Sequence, residues 1–326
     1  MSFQKLLPKF DFADDRFDWE NDSIGVYDRN AKLFSVIAMM YVPVVFALEQ
    51  VMKYREPFKL TGLLIFWNFL LSILSGYGAY LTVPQGFIFY REKGWTGAVC
   101  NLDCYHHPYA VIILLFNLSK MGEFVDTIFL RLRKKPVIFL HWYHHILTML
   151  YCWYGNTAGS RFNCTGWYFA AMNLTVHAVM YAYYGLAAMG YAKTLAKMGV
   201  NKVVTVIQLT QMVLGIAIIF QSTECERTDY NGLVLSSVMY GSYLFLFAKL
   251  YYDKYGSKRL PPEIDKLKAL QKKNLQRFKE NYQIDLARML EDQARVMKRA
   301  KEDHDLRIVS QAKERVPSQS RKNKEE

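Results

Sequence analysis

The sequence predicts an all-α, polytopic membrane protein. Three observations lead there. Long apolar runs fill residues 31–252, a densely charged segment follows them, and the polar residues inside the runs recur at helical spacing. A hydrocarbon core about 30 Å thick takes about 20 apolar residues per helix. The runs divide into seven spans of that size: 31–52, 61–83, 108–130, 136–155, 165–189, 202–221 and 231–252. The chain is therefore read as an N-terminal segment, 1–30, a seven-helix domain, 31–252, and a charged tail, 253–326.

The mean hydropathy of −0.02 conceals this division. Of 41 basic and 29 acidic residues, 20 and 13 lie in residues 253–326. The net charge of +12 thus sits mostly in the tail and in short loops. There it suits the cytosolic face of a membrane and not a nucleic-acid surface.

Residues 1–30 mix acidic, basic and aromatic side chains without the apolar core of a signal peptide. The span 31–52 must act as its own insertion signal. Lys53, Arg55 and Lys59 follow it, and the loops after spans three and five carry Arg131, Arg133, Lys134, Lys135, Lys193, Lys197 and, at the next helix start, Lys202. The loops after spans two, four and six carry only Arg91, Lys93, Arg161 and Arg227. Ten cations against four place the first set in the cytosol, the N-terminus outside it and the tail within it.

Span 61–83 leads into a non-cytosolic loop holding Cys100, Cys104, His106 and His107, with the histidines read as loop residues. Such a loop meets an oxidising lumen. A Cys100–Cys225 bridge would join it to the loop after span six. Cys104 is a competing partner, and the sequence does not choose. Cys152 and Cys164 lie near the same side and are read as free. Asn21 and Asn163 begin luminal glycosylation sequons, Asn163 close to the bilayer, whereas those at Asn117 and Asn173 fall within spans.

Span 108–130 contains "KMGEFVDT", with Lys120, Glu123 and Asp126 three residues apart on one face. A charge at a helix centre costs about 2.5–3.5 kcal/mol on insertion scales, so these three need partners or a function. Span 136–155 contains "HWYHH", which sets His141, His144 and His145 at i, i+3 and i+4 on one face. Span 165–189 sets Asn173, His177, Tyr181 and Tyr184 along one stripe, and span 202–221 spaces Thr205, Gln208 and Gln211 by three. Four consecutive helices each offer a polar stripe, and the economical arrangement turns the stripes toward one shared cavity.

Three chemistries compete for that cavity. The H-x-x-H-H spacing suits iron or zinc with Glu123, Asp126 and His177 as further ligands, as in histidine-box oxidases and hydroxylases. Di-iron enzymes of that kind use about eight histidines; this chain has seven, and four lie in the core. A membrane carrier also suits buried charges, but no repeat or pair of broken half-helices is visible. A mononuclear metal site survives that histidine count, and acyl transfer is the third possibility. Burial favours a neutral imidazole, which is a competent nucleophile, with neighbouring rings, tyrosines and glutamines as proton or oxyanion partners.

The four motifs "KMGEFVDT" (120–127), "HWYHH" (141–145), "HAVMYAYY" (177–184) and "TVIQLTQ" (205–211) together resemble the ELO family of very-long-chain fatty acid elongases. The resemblance covers about residues 31–252. It implies an endoplasmic reticulum enzyme with seven transmembrane helices, helices two to seven closing a ring around a tunnel. It implies condensation of a long-chain acyl-CoA with malonyl-CoA to give 3-oxoacyl-CoA, carbon dioxide and CoA, through an acyl-imidazole and without a bound cofactor or metal. Carried onto this chain, His144 is the nucleophile, His177 acts on the malonyl unit, and His141 and His145 orient His144. Lys120, Glu123 and Asp126 hold the pocket, and Asn173, Tyr181, Tyr184, Gln208 and Gln211 line it. Arg133, Lys134, Lys193, Lys202 and Lys254 are the candidate CoA-phosphate contacts. The implied partners are the bilayer, the ketoreductase, dehydratase and enoyl reductase of the elongation cycle, and a second copy of the chain.

Trp142 and Tyr143 within the histidine motif resemble the branch acting on saturated and monounsaturated palmitate-length chains. Chain length is expected to depend on bulky residues near Tyr151, Trp153, Trp167 and Phe220 at the luminal end. In the tail, Pro261 and Pro262 stop span seven, and apolar residues from Ile264 to Met289 recur at three- or four-residue steps, predicting a helix over about 263–307 that either lies amphipathically on lipid or a partner or is a solvated charged helix. Lys322 and Lys324 resemble a di-lysine retrieval signal.

Overall fold

The computed structural model describes residues 24–105, 109–157, 163–256 and 262–314. Every regular element among them is helical. A short α1 (Gly25–Arg29) leads into α2 (Ala31–Lys53), then α3 (Thr61–Cys100), α4 (Tyr109–Gly122), α5 (Phe124–Leu132), α6 (Phe139–Thr157) and α7 (Thr165–Leu186). After a π-helical turn at Ala187–Tyr191 come α8 (Ala192–Lys197), α9 (Val200–Ser222) and α10 (Tyr230–Tyr251), the last extended by a π-helical turn at Tyr252–Gly256. The chain through residue 257 forms one compact unit and the tail a second, built on α11 (Pro262–Glu314). Pro262 opens α11, as the first helical turn allows, because the N–H that proline lacks would have no intrahelical partner there. The tail helix thus runs somewhat past the expected 263–307.

Among the described residues, four helices are long and apolar enough to cross a membrane: Ala31–Lys53, Thr61–Cys100, Val200–Ser222 and Tyr230–Gly256. The segments bearing the charges and histidines are not among these four. Their apolar character is diluted by the imidazoles, tyrosines and tryptophans that make them chemically interesting. The expected span 108–130 is also not one helix. It tightens at Glu123, where the Asp126 N–H donates to the Glu123 carbonyl (3.0 Å) in an i→i+3 turn.

Two expectations about the second span and its loop need correction. Helix α3 runs on to Cys100 where a loop was expected after residue 83, with Pro84 inside it and a kink at Gly94 (φ +67°, ψ −177°). Glycine is the residue that adopts this backbone without a steric penalty. Cys164 is not free: it bonds Cys104, while Cys100 bonds Cys225. The ambiguity between Cys100 and Cys104 is resolved because each finds its own partner. Cys152 is free and buried.

Packing sets where the site can form. Helix α3 packs along α7, α7 on α9, α9 on α10, α10 on α6, α6 on α4, and α4 on α3, while α2 lies against α5 and α6. At Gly215 the approach of α9 to α10 leaves no room for a side chain, since a β-carbon there would run into the Tyr240 ring at Cε1. Tyr240 in turn packs on Phe169 of α7 with ring centroids 4.4 Å apart, so one tyrosine joins three helices. The fully buried Trp167 and the Cys104–Cys164 bridge belong to a second cluster with residues of α3, α4 and α7.

Candidate active site

Two cavities meet at His144. The wider, of about 280 Å³, is lined among others by Glu123, Asp126, His141, His144, His145, Asn173, His177, Tyr181, Tyr184, Gln208, Gln211 and Lys254. The narrower, with about 90 Å³, is lined among others by His144, Thr148, Tyr151, Cys152, Tyr154, Phe169, Asn173, Gln211, Asp229 and Tyr240. His144, Asn173, Gln211 and Met212 belong to both. The polar stripes of α5, α6, α7 and α9 do face one another.

The charges of the first motif are paired inside this space. Lys120 is 2% exposed, and its Nζ donates to Glu123 Oε1 (2.5 Å) and Asn173 Oδ1 (3.0 Å). It also lies 4.2 Å from the centroid of the Phe116 ring, a favourable cation–π position. The same Glu123 oxygen lies 3.5 Å from His177 Nδ1. One buried carboxylate therefore lies between an ammonium on its own segment and an imidazole on α7. Asp126 has a separate clasp: Tyr181 donates to Oδ2 (2.7 Å) and the Trp67 indole to Oδ1 (2.6 Å).

The histidine motif is held from several sides. The rings of His141 and His145 are 4.5 Å apart and those of His144 and His145 5.6 Å. Tyr243 of α10 lies 4.8 Å from the His144 ring, and its hydroxyl donates to the His144 carbonyl (3.0 Å). Tyr143 donates to Ser242 on the same helix (3.0 Å). Helix α10 thus grips α6 at the turn that carries the nucleophile candidate. Gln208 makes only a soft contact, 3.3 Å to Met180 Sδ, so its amide is available to the cavity.

Of the five cations expected to meet CoA phosphates, Lys254 alone lines a described cavity. Lys134 instead donates to the carbonyls of Arg55 (2.9 Å) and Lys53, which ties the loop after α5 to the end of α2. Lys202 lies 5.9 Å over the Tyr251 ring. Lys193 is exposed on α8, and Arg133 caps the end of α5. Of the residues expected to close the far end, Tyr151 lines the narrow cavity. Trp167 is sealed in the core, Trp153 packs against the cluster of Phe34 and Leu114, and Phe220 is 71% exposed on the outer face of α9. Phe220 therefore does not line the cavity. Tyr154 and Asp229 do, the tyrosine hydroxyl donating between the two carboxylate oxygens (2.8 Å each).

The Asn163 amide is buried; its Oδ1 accepts from the Thr165 N–H (3.0 Å). It is engaged in the fold and not offered as a sequon. Asn21, His106, His107, Lys322 and Lys324 lie outside the described residues. Among the described residues, no three His, Cys, Asp or Glu side chains are arranged to hold a metal ion.

Sequence reasoning passed over Tyr41, Trp67, Tyr243 and Asp229. Each tyrosine or tryptophan sits in an apolar run where an aromatic residue raises no question, and its role appears only when its polar tip finds a partner on another helix.

A polar chamber of imidazoles, carboxylates and an ammonium, set among membrane-spanning helices, marks a membrane-embedded enzyme. The chain belongs to the ELO: GNS1/SUR4 family, whose model matches residues 26–262. Over 249 residues it is 38% identical to a very long chain fatty acid elongase 4 of Trypanosoma cruzi (strain CL Brener), spanning 73% of this chain and 85% of that protein. It is 36% identical over 256 residues to a very long chain fatty acid elongase 6 of Drosophila melanogaster, covering 73% and 78% of the two chains. With the human very long chain fatty acid elongase 6 the identity is 35% over 246 residues, covering 72% and 89%.

Proposed function

We propose that this chain is the condensing enzyme of fatty acid elongation, joining a long-chain acyl-CoA to malonyl-CoA. The observation that carries the reading is the place of His144, on the wall shared by the two cavities. An acyl chain in the narrow, largely aromatic cavity brings its thioester carbonyl to His144, and the CoA portion then occupies the wider cavity toward Lys254. Arg133, Lys193 and Lys202 supply the outer positive field.

His144 attacks the acyl carbonyl, the carbon–sulfur bond breaks, and the departing thiolate takes the imidazole proton as CoA. Malonyl-CoA then loses carbon dioxide, and the enolate carbon attacks the acyl-imidazole. The carbon–nitrogen bond breaks, His144 recovers a proton, and 3-oxoacyl-CoA leaves. Decarboxylation makes the carbanion without a strong base, so the site chiefly supplies oxyanion donors and excludes water. His177, steadied by Glu123, faces the same space as the malonyl unit. His141 and His145 orient His144, and Lys120, Glu123 and Asp126 hold the pocket in shape. Acyl-CoA and malonyl-CoA are substrates, and no cofactor is bound.

The packing order from α3 through α7, α9, α10, α6 and α4 supports a closed ring of six membrane segments, with α2 outside it as the seventh. In this reading the protein spans the endoplasmic reticulum membrane with its N-terminus luminal and the tail cytosolic. Its product passes to the ketoreductase, dehydratase and enoyl reductase of the cycle. Both disulfides then lie on the luminal side, where oxidation is favoured.

Microsomes carrying the full chain should incorporate labelled malonyl-CoA into 3-oxoacyl products only when acyl-CoA is added, with or without a chelator. Activity lost to chelation alone would favour a metal-dependent oxidase or hydroxylase, and acyl flux without turnover a carrier. A second test concerns length. Tyr151→Ala should raise kcat/KM for an acyl chain two carbons longer by about tenfold, the discrimination that a few methylenes provide in an apolar pocket. Phe220→Ala, on the outer face, should leave the product spectrum unchanged. Chromatography of products from an acyl-CoA series decides, and equal spectra for both variants would remove Tyr151 as a limit.

A further inference from the structure

Helix α2 contributes no residue to either cavity, yet one of its side chains reaches the histidine cluster. The Tyr41 hydroxyl lies 2.8 Å from Thr127 Oγ1, and Thr127 Oγ1 lies 2.9 Å from His141 Nε2. Thr127 is fully buried and Tyr41 nearly so. The Tyr41 ring stacks on Phe124 with centroids 3.9 Å apart. Glu49 of the same helix pairs with Arg131 at 2.9 Å, so α2 is anchored on both sides of the contact.

The direction of this chain of hydrogen bonds follows from counting hydrogens. Each hydroxyl has one to donate, and a neutral imidazole has one donor nitrogen and one acceptor. If His141 donated from Nε2 and Thr127 donated onward, the Tyr41 hydrogen would face no acceptor among the described residues. If Thr127 accepted from both neighbours, its own hydrogen would face none. Only when Tyr41 donates to Thr127, and Thr127 donates to His141 Nε2, do both buried hydroxyl hydrogens find acceptors; the one hydrogen then left over is the Nδ1–H of His141, a half-buried ring that lines the wider cavity. A buried donor left without a partner bears the full loss of its hydration, so this third arrangement prevails.

We propose that Tyr41 and Thr127 are positioning residues that hold His141 as the tautomer with its proton on Nδ1 and Nε2 as acceptor. The inference rests on the reading of His144 as nucleophile for its consequence, although not for its geometry. His141 packs on His145, and His145 on His144. A single tautomer at His141 presents one fixed arrangement of donor and acceptor to that stack. Two interconverting tautomers would present His144 with two different fields, only one of them suited to attack. A helix outside the cavities thereby acts on the chemistry within them.

Tyr41→Phe keeps the ring and its stack on Phe124 and removes only the hydroxyl. In the full-length enzyme it should lower kcat about tenfold, the value of one net hydrogen bond, with KM for acyl-CoA within about twofold of wild type. Thr127→Val should lose at least as much, and Thr127→Ser, which keeps the hydroxyl, should stay near wild type. In histidine-¹⁵N-labelled protein, His141, assigned by its loss in His141→Asn, should show the Nδ1–H tautomer alone, and both tautomers in Tyr41→Phe. An unchanged kcat or an unchanged ¹⁵N pattern in Tyr41→Phe overturns the proposal, as does an Nε2–H tautomer in wild type. If wild-type protein makes no 3-oxoacyl product, the elongase reading fails by itself, because the ¹⁵N measurement needs no turnover.

Discussion

His144→Ala is expected to lower acyl-CoA-dependent condensation by on the order of 10⁴-fold, with the protein still folded. On the proposed route the size reflects loss of the group that would form the covalent intermediate; removal of a nucleophile leaves only what binding and oxyanion donors supply. Folding should survive because the His144 backbone carbonyl, held by Tyr243, and the disulfides are untouched. The readout has two parts. Labelled malonyl-CoA incorporation measures turnover, and mass spectrometry of the α6 peptide after exposure to acyl-CoA alone measures the acyl adduct. Wild type should carry the adduct and the variant should not. A variant that turns over normally would show that acyl transfer is direct. His177→Ala gives the complementary result: the adduct forms and accumulates, because the malonyl half-reaction is the one impaired.

The second large effect concerns the buried pair. Lys120→Met should destabilise the protein by about 3–5 kcal/mol, because it leaves the Glu123 carboxylate buried without its cation. The side chains of Lys120 and Glu123 are 2% and 4% exposed, and the remaining neighbour of Glu123 is His177 at 3.5 Å. Lys120→Met combined with Glu123→Gln should recover most of that loss, since removing both charges removes the need for either. Thermal unfolding in a single detergent, run on both variants, tests this. Equal melting temperatures for the single and double variants would mean that the pair is not a coupled unit. The recovered double variant should still be a poor enzyme, which separates the pair's role in holding the pocket from its role in setting the field at His177.

Much of the helical architecture was legible because a membrane imposes a strict rule on sequence. Backbone groups in hydrocarbon must bond within their own segment, so apolar runs of sufficient length announce helices, and charges inside them announce exceptions. Lys120, Glu123 and Asp126, the three histidines of "HWYHH", and His177 stood out for that reason, and the structure brings them into one cavity lining with Lys120 just behind it. Helix ends were less legible. The extension of α3 to Cys100 follows from a kink at Gly94 that no local signal marks.

The sequence by itself determined which residues are the candidates for chemistry. Each is costly where it stands, and that cost can be read from one helix at a time. Only the tertiary structure decided which cysteines pair and that Phe220 faces outward. It also revealed that Tyr154 and Asp229 pair on the wall of the narrow cavity and that Tyr41 reaches His141 through Thr127. These depend on the rotation and approach of one helix relative to another. Aromatic and small residues pack equally well at many such rotations, so the choice among them is made by the sum of contacts between helices and leaves no mark on any single segment.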